Sequence, residues 1–302
     1  MKVLFEYGNG LAEHELFAFG ELVDEMRRQL VKGENVKTLP PDTGWFARFK
    51  KRLAYHPDIV HRNGTIRRLG LIRPKTFVLP GIDPKRYHPL DAGEKAEFRK
   101  ARHLPEHYLL MCGPDIPVRN LMTVVSAMRR MDSTATLPLV IPGLQRKSAV
   151  RREVERRRMD DCLFAIDDVS EKERPALFAS AALYLDPGLG SAARQGIIEA
   201  MACGVPVVAS ATNVSRKLFG SAAKLVHPRD AIEWARALNS AQISVRWRES
   251  AVAAGLELAR KYEWPLVAAK LLNLYRKLFE KSFFNWGRLA PAKEATPRAS
   301  SS

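Results

Sequence analysis

Cysteine is scarce in this chain of 302 residues: there are three, Cys112, Cys162 and Cys203. They lie far apart, each in or beside an apolar run, and no Cys-x-x-Cys or Cys/His spacing suits a metal. This excludes a disulfide framework and fits buried thiols of a reducing compartment. Acidic residues are also short, with 33 Asp and Glu against 49 Lys and Arg, a net charge of +16. Such an excess favours a polyanionic partner: nucleic acid, an anionic membrane surface or a phosphate-rich ligand. Long hydrophobic runs are missing. The longest, Ala176 to Leu185, falls well short of the roughly 20 residues that span a bilayer. The opening MKVLFEYGNG has too few apolar residues for a signal peptide. A cytoplasmic location, with peripheral attachment to the inner face of a membrane as an option, is the expectation. The glycine-containing loop after the opening strand, Gly8-Asn9-Gly10-Leu11-Ala12-Glu13, is neither a GxGxxG nor a Gly-Lys-Ser/Thr phosphate loop.

What the chain does have is a 46% share of hydrophobic residues, enough for a core, at a length that suits about two domains. Short apolar runs alternate with helical periodicity. Strands are expected at Val3–Phe5, Val36–Leu39, Ile59–His61 and Thr76–Leu79, with a helix over 13–30 and a basic helix over 45–53. The turn-forming Pro80-Gly81-Ile82-Asp83-Pro84 marks a domain boundary. A second series follows, with strands near Tyr108, Leu137, Leu163, Leu183, Val205 and Ala222 and helices between them. Helices close the chain over 231–284. Strands alternating with helices predict a doubly wound α/β architecture with a mostly parallel sheet. The expected division is 1–83, 84–285 and a disordered tail over 286–302, which ends in PAKEATPRASSS.

In such sheets ligands bind beyond the carboxyl ends of strands, where loops feed helix N-termini that favour phosphate. Three loops qualify. The first carries Gly8 and Gly10 after the opening strand; small residues there let the backbone approach a ligand. The second runs from Gly113 to Asn120 and places Arg119 at a helix start, where a guanidinium can pair with phosphate oxygens. The third runs from Asp186 to Glu199 and is rich in small residues. Its backbone N–H groups suit a diphosphate, and Glu199 suits paired ribose hydroxyls. The apolar neighbours Ile197, Ile198 and Met201 argue against a fully solvated Glu199.

Gly196 to Ser210, GIIEAMACGVPVVAS, resembles the signature of the retaining, sugar-nucleotide-dependent glycosyltransferases with the two-domain GT-B fold. Four further segments resemble that family in the same order. They are FVLPGIDPKRYHP from Phe77, the loop from Leu110 to Asn120, PALFASAALYLDP from Pro175 and YEWPLVAAKLLNLYR from Tyr262. The resemblance covers about Thr76 to Phe279. It implies two Rossmann-like domains facing across a cleft, the first, acceptor-side domain being shortened. The implied reaction transfers a sugar, of hexosyl type, from a nucleotide diphosphate with retention. No metal or other cofactor is implied, because protein cations and helix ends carry the diphosphate charge. By the same resemblance Glu199 binds the donor ribose and Arg119 neutralises the diphosphate. Gly113 and the amides of Ala192, Ala193 and Gln195 hold the sugar and phosphates.

Two positions depart from the family pattern. Ser191 stands where the family has a glutamate, and Pro114 where it has an arginine. Arg194 is in turn expected to supply the lost cation beside Arg119. Between Met26 and Lys75 the first domain holds thirteen Lys and Arg against three Asp and Glu. Arg48, Lys50, Lys51 and Arg52 interleave there with Trp45, Phe46 and Phe49, a pattern suited to anionic lipid or to a nucleic-acid backbone. Three functions stay open at this level: an active glycosyltransferase, one acting on modified DNA, and a degenerate relative that binds sugar nucleotide or a polyanionic partner without turnover.

Overall fold

Strand β1 (Lys2–Glu6) pairs in parallel with β2 (Asn35–Leu39) on one side and with β3 (Ile59–Arg62) on the other. Strand β4 (Thr65–Arg68) runs antiparallel to β3 and closes the order β2-β1-β3-β4. The computed structural model describes residues 2–6, 22–30, 35–39, 59–62, 65–68, 81–112, 118–131, 136–143, 152, 155–156, 163–166, 169–189 and 195–286. The first three strands fall where the apolar runs predicted them. Residues 22–28 are helical, with Leu22, Val23 and Met26 buried at helical spacing. Strand β4 was not anticipated, because Thr-Ile-Arg-Arg carries no apolar alternation. Its signal was the Asn63-Gly64 pair ahead of it, the dipeptide that most favours a tight hairpin. The strand expected at 76–79, the basic helix over 45–53 and the tail over 287–302 lie outside the described residues.

Two compact units divide the chain: Met1–Gly10, Val23–Phe77 and Ala268–Ser302 form one, Leu11–Leu22 and Val78–Val267 the other. The second unit holds β5 (Leu109–Leu110), β6 (Leu139–Pro142), β7 (Leu163–Ile166), β8 (Leu183–Asp186), β9 (Val207–Ser210) and β10 (Ala223–Val226). All their described pairings are parallel, in the order β10-β9-β8-β5-β6-β7. Counted along this unit, that is the 3-2-1-4-5-6 order of doubly wound nucleotide-binding sheets. The helices are α1 (Ala92–Ala101), α2 (Val118–Met128), α3 (Arg174–Ala179), α4 (Gln195–Ala202), α5 (Asn213–Phe219), α6 (Ala231–Ile243), α7 (Val245–Arg260) and α8 (Trp264–Trp286).

Strand periodicity explains the two cores. Leu110, Val140, Tyr184 and Val207 point to one face, where Phe178 of α3 and Ile197, Ile198 and Met201 of α4 cover them. Leu109, Leu139, Leu185 and Val208 point to the other, beneath Val124 and Val125 of α2 and Trp234 and Leu238 of α6. Burial on both faces is what allows an all-parallel sheet. Helix α1 has no buried residue, which is why periodicity did not reveal it. Its signal was the capping box of Asp91 and Glu94, each side chain bonding the other's backbone N–H. After α4 the chain reverses at Gly204, whose φ of 69° favours glycine. Gly204 N donates to Met201 O and Val205 N to Ala200 O, a Schellman closure that delivers Val205-Pro206 into β9.

Candidate functional site at the switch of the second sheet

The order of the second sheet reverses between β5 and β8. Sheets of this kind take ligands beyond the carboxyl ends of the strands at such a reversal, where the chain leaves β5 and β8. The loops there are the second and third singled out in the sequence. Gly113, Ser191, Ala192, Ala193 and Arg194 lie outside the described residues, as do Gly8, Gly10, Arg48, Lys50, Lys51 and Arg52. Arg119 is the second residue of α2, at the helix start where its backbone was expected. Gln195 opens α4 and Glu199 follows one turn later.

Three contacts tie the two sides of the switch together. Asn120, 1% exposed, donates from Nδ2 to Pro187 O at 2.7 Å, joining the first turn of α2 to the loop after β8. Its side chain thus crosses the switch. The Tyr184 hydroxyl donates to Cys112 O at 3.3 Å, so β8 also holds the end of β5. The same hydroxyl lies against Gly196, where any Cβ would overlap it. Glycine is thus required for α4 to start this close to the sheet. Asp186 Oδ1 accepts from Gly188 N at 2.8 Å and turns the chain out of β8.

Glu199 is the charged centre of the site. It is 1% exposed, although it sits in a helix of otherwise apolar buried residues. Arg174, at the start of α3, donates from Nε at 3.0 Å and from Nη2 at 2.7 Å, both to Oε2. Oε1 accepts from Gln195 Nε2 at 3.0 Å and from the Tyr87 hydroxyl at 3.3 Å. Burial alone would lower the Arg174 pKa, but the charge and hydrogen bond of Glu199, with Cys112 and Tyr87 beside it, together outweigh burial and hold the guanidinium charged well above its ordinary range. Burial, helped by the nearby carboxylate, pushes the Tyr87 hydroxyl far up, so it stays a neutral donor. The Arg174 guanidinium also lies 5.1 Å from the centre of the Phe178 ring, a cation–π contact. Gln195 Oε1 is buried without a hydrogen-bond partner among the described residues.

The sequence placed Glu199 and Gln195 but missed Arg174 and Tyr87. A carboxylate in a buried helix face requires a counter-charge. That need was legible; its partner, 25 positions away in a chain of 49 Lys and Arg, was not. Cys203 is buried and donates to Pro175 O at 3.6 Å, and Cys112 is half-buried; both are free thiols. Burial pushes the Cys203 thiol well up, so it is an inert core residue. Among the described residues no group of three His, Cys, Asp or Glu is placed to hold a metal ion. Among them also, no helix is long and apolar enough to cross a membrane.

A parallel sheet in this order, with a helix after its fourth strand that carries a buried carboxylate, defines a Rossmann-type unit. Residues 106–242, just under half of the chain, match the family profile described as Glycosyl transferases group 1. It is 29% identical over 177 residues to O-antigen chain mannosyltransferase B of Escherichia coli, covering 57% of this chain and 46% of that protein. It is 35% identical over 114 residues to phosphatidyl-myo-inositol mannosyltransferase of Mycobacterium leprae, covering 36% of this chain and 30% of that one. The chain thus spans less than half the length of these curated relatives. Among solved structures, Anabaena HepE in complex with UDP and glucose superposes with a TM-score of 0.69 at 12% identity, over 92% of this chain and 100% of that one. Sucrose-phosphate synthase from Thermosynechococcus elongatus gives 0.69 at 15% identity, over 93% and 100%. At these identities the likeness establishes the fold, which is the GT-B fold expected from the sequence.

Proposed function

We propose that this chain transfers a hexosyl group from a nucleoside diphosphate sugar to an acceptor, with retention at the anomeric carbon. The observation that carries the reading is Glu199. A buried carboxylate is held by Arg174, Gln195 and Tyr87 at the switch where a doubly wound sheet takes nucleotides. The family match, the mannosyltransferase relatives and the UDP in the HepE structure support the same substrate class. In this reading Glu199 accepts from the nucleoside ribose. The amides from Ala192 to Gln195, and Gly113 in the loop between β5 and α2, face the diphosphate. Arg119 and Arg194 balance its charge as the bond to the sugar breaks, in place of a metal. The leaving phosphate takes the acceptor proton.

The test is to incubate the intact chain with UDP-, GDP- and ADP-sugars and follow release of the nucleoside diphosphate. Slow hydrolysis of one donor, accelerated by its acceptor, is the expected outcome. Arg194→Ala should then lower turnover by about as much as Arg119→Ala. Ser191 and Pro114, at the two positions that depart from the family, favour a second reading: binding of a nucleoside diphosphate without release from any sugar. Failure to bind any of the three nucleotides would overturn both. The basic segment of Arg48, Lys50, Lys51 and Arg52 is proposed to meet an anionic membrane. Vesicle binding that weakens with salt and is lost on replacing these residues by glutamate is its test. Salt-sensitive binding to duplex DNA instead would assign a nucleic-acid partner.

A further inference from the structure

Glu199 offers about four acceptor positions, two on each oxygen. Both positions of Oε2 are filled by one residue, Arg174, at 3.0 and 2.7 Å. Oε1 is filled less firmly, by Gln195 Nε2 at 3.0 Å and by Tyr87 at 3.3 Å, the longest of the four contacts. The two oxygens are therefore unequal: one is anchored by a buried cation, the other ends in a replaceable bond. Arg174 is itself fixed, because its side chain is 13% exposed and stacked on Phe178.

We propose that Arg174 is a positioning residue for the nucleoside: by saturating Oε2 it leaves Oε1 to accept from a single ribose hydroxyl, which takes the place of the Tyr87 hydroxyl. The inference rests on the reading of Glu199 as the ribose acceptor. It goes beyond that reading in saying that one hydroxyl, not two, is read, and that Arg174 sets this without touching the nucleotide.

The test is calorimetric titration of the intact chain with UDP and GDP, then with the 2′-deoxy and 3′-deoxy forms of whichever binds, and with inorganic pyrophosphate. The parent protein should bind the ribonucleotide about tenfold or more tightly than one deoxy form, the loss of a charge-assisted bond. The other deoxy form should bind within about twofold of the ribonucleotide, since no acceptor is lost. In Arg174→Met that discrimination should collapse to about twofold, while pyrophosphate affinity, which involves no ribose, stays unchanged. Arg174→Lys keeps the charge but lacks the planar fork that fills both positions of Oε2, and should retain part of the discrimination. It also serves if the methionine variant does not fold. Equal losses with both deoxy forms in the parent would overturn the single-hydroxyl assignment. Discrimination unchanged in both variants, or pyrophosphate affinity falling in parallel with that for nucleotide, would reduce Arg174 to a structural residue. A parent chain that binds neither UDP nor GDP removes the ribose reading itself.

Discussion

Two ion pairs begin at adjacent residues and differ in almost every physical respect. Glu173 pairs with Arg102 at 3.0 Å, with side chains 40% and 31% exposed; Arg174 pairs with Glu199 at 2.7 Å, with side chains 13% and 2% exposed. The first is a helix-entry contact on the surface. Glu173 also accepts from the Ser170 hydroxyl at 2.6 Å, and the partial exposure of both side chains lets water compete for the pair. The second is buried between α3 and α4, where little water reaches either charge. The comparison teaches that a pair's burial, not its length, decides what breaking it does. A single residue step along α3 separates a dispensable pair from the one around which the site is organised.

The largest effect should come from Arg174→Met. It leaves the Glu199 charge buried and unpaired, so denaturant unfolding should report a loss of about 3–5 kcal/mol. A loss below about 1 kcal/mol would place this pair in the same class as its neighbour. Gly196→Ala should follow, at about 1–3 kcal/mol, because its Cβ must displace the Tyr184 hydroxyl from the start of α4. A stability unchanged in that variant would mean that α4 need not approach β8 so closely.

The smallest effect belongs to Glu173→Gln, about 0–1 kcal/mol at neutral pH. Its pH dependence has a defined sign. The Glu173 carboxyl is held below its ordinary value by the Ser170 hydrogen bond first, and by Arg102, against the opposing effect of burial. A depressed carboxylate contributes stability above its unfolded pKa and loses it as pH falls through the folded value. The difference between parent and Glu173→Gln should therefore be full above the unfolded value of about 4.3 and shrink as pH falls through the lower folded value. A penalty that persists in acid would assign the effect to packing.

The same contrast explains what could be read from the sequence. The strands of the second sheet were legible because Leu139–Ile141, Leu183–Leu185 and Val207–Ala209 are apolar runs bounded by turn residues, as strands buried on both faces require. Glu199 was legible because a carboxylate interrupts the apolar face of α4. Helix α1 and strand β4 were not, since one buries no residue and the other ends in two arginines. Each depends on local chemistry, a capping box and an Asn-Gly pair, rather than on periodicity. Arg174, Tyr87 and Asn120 escaped for a different reason. Their roles arise from contacts across 25, 112 and 67 positions of chain, which only the fold brings together.

The central claim is that the buried carboxylate at the sheet's switch is a nucleotide contact and not merely the partner of Arg174. Calorimetric titration of the parent chain and of Glu199→Gln with UDP and GDP, well below the melting temperature of each, tests it most directly. The account predicts that one nucleotide binds the parent and binds Glu199→Gln about tenfold or more weakly, with a charge-assisted bond lost. Equal affinity in the two folded proteins would contradict it.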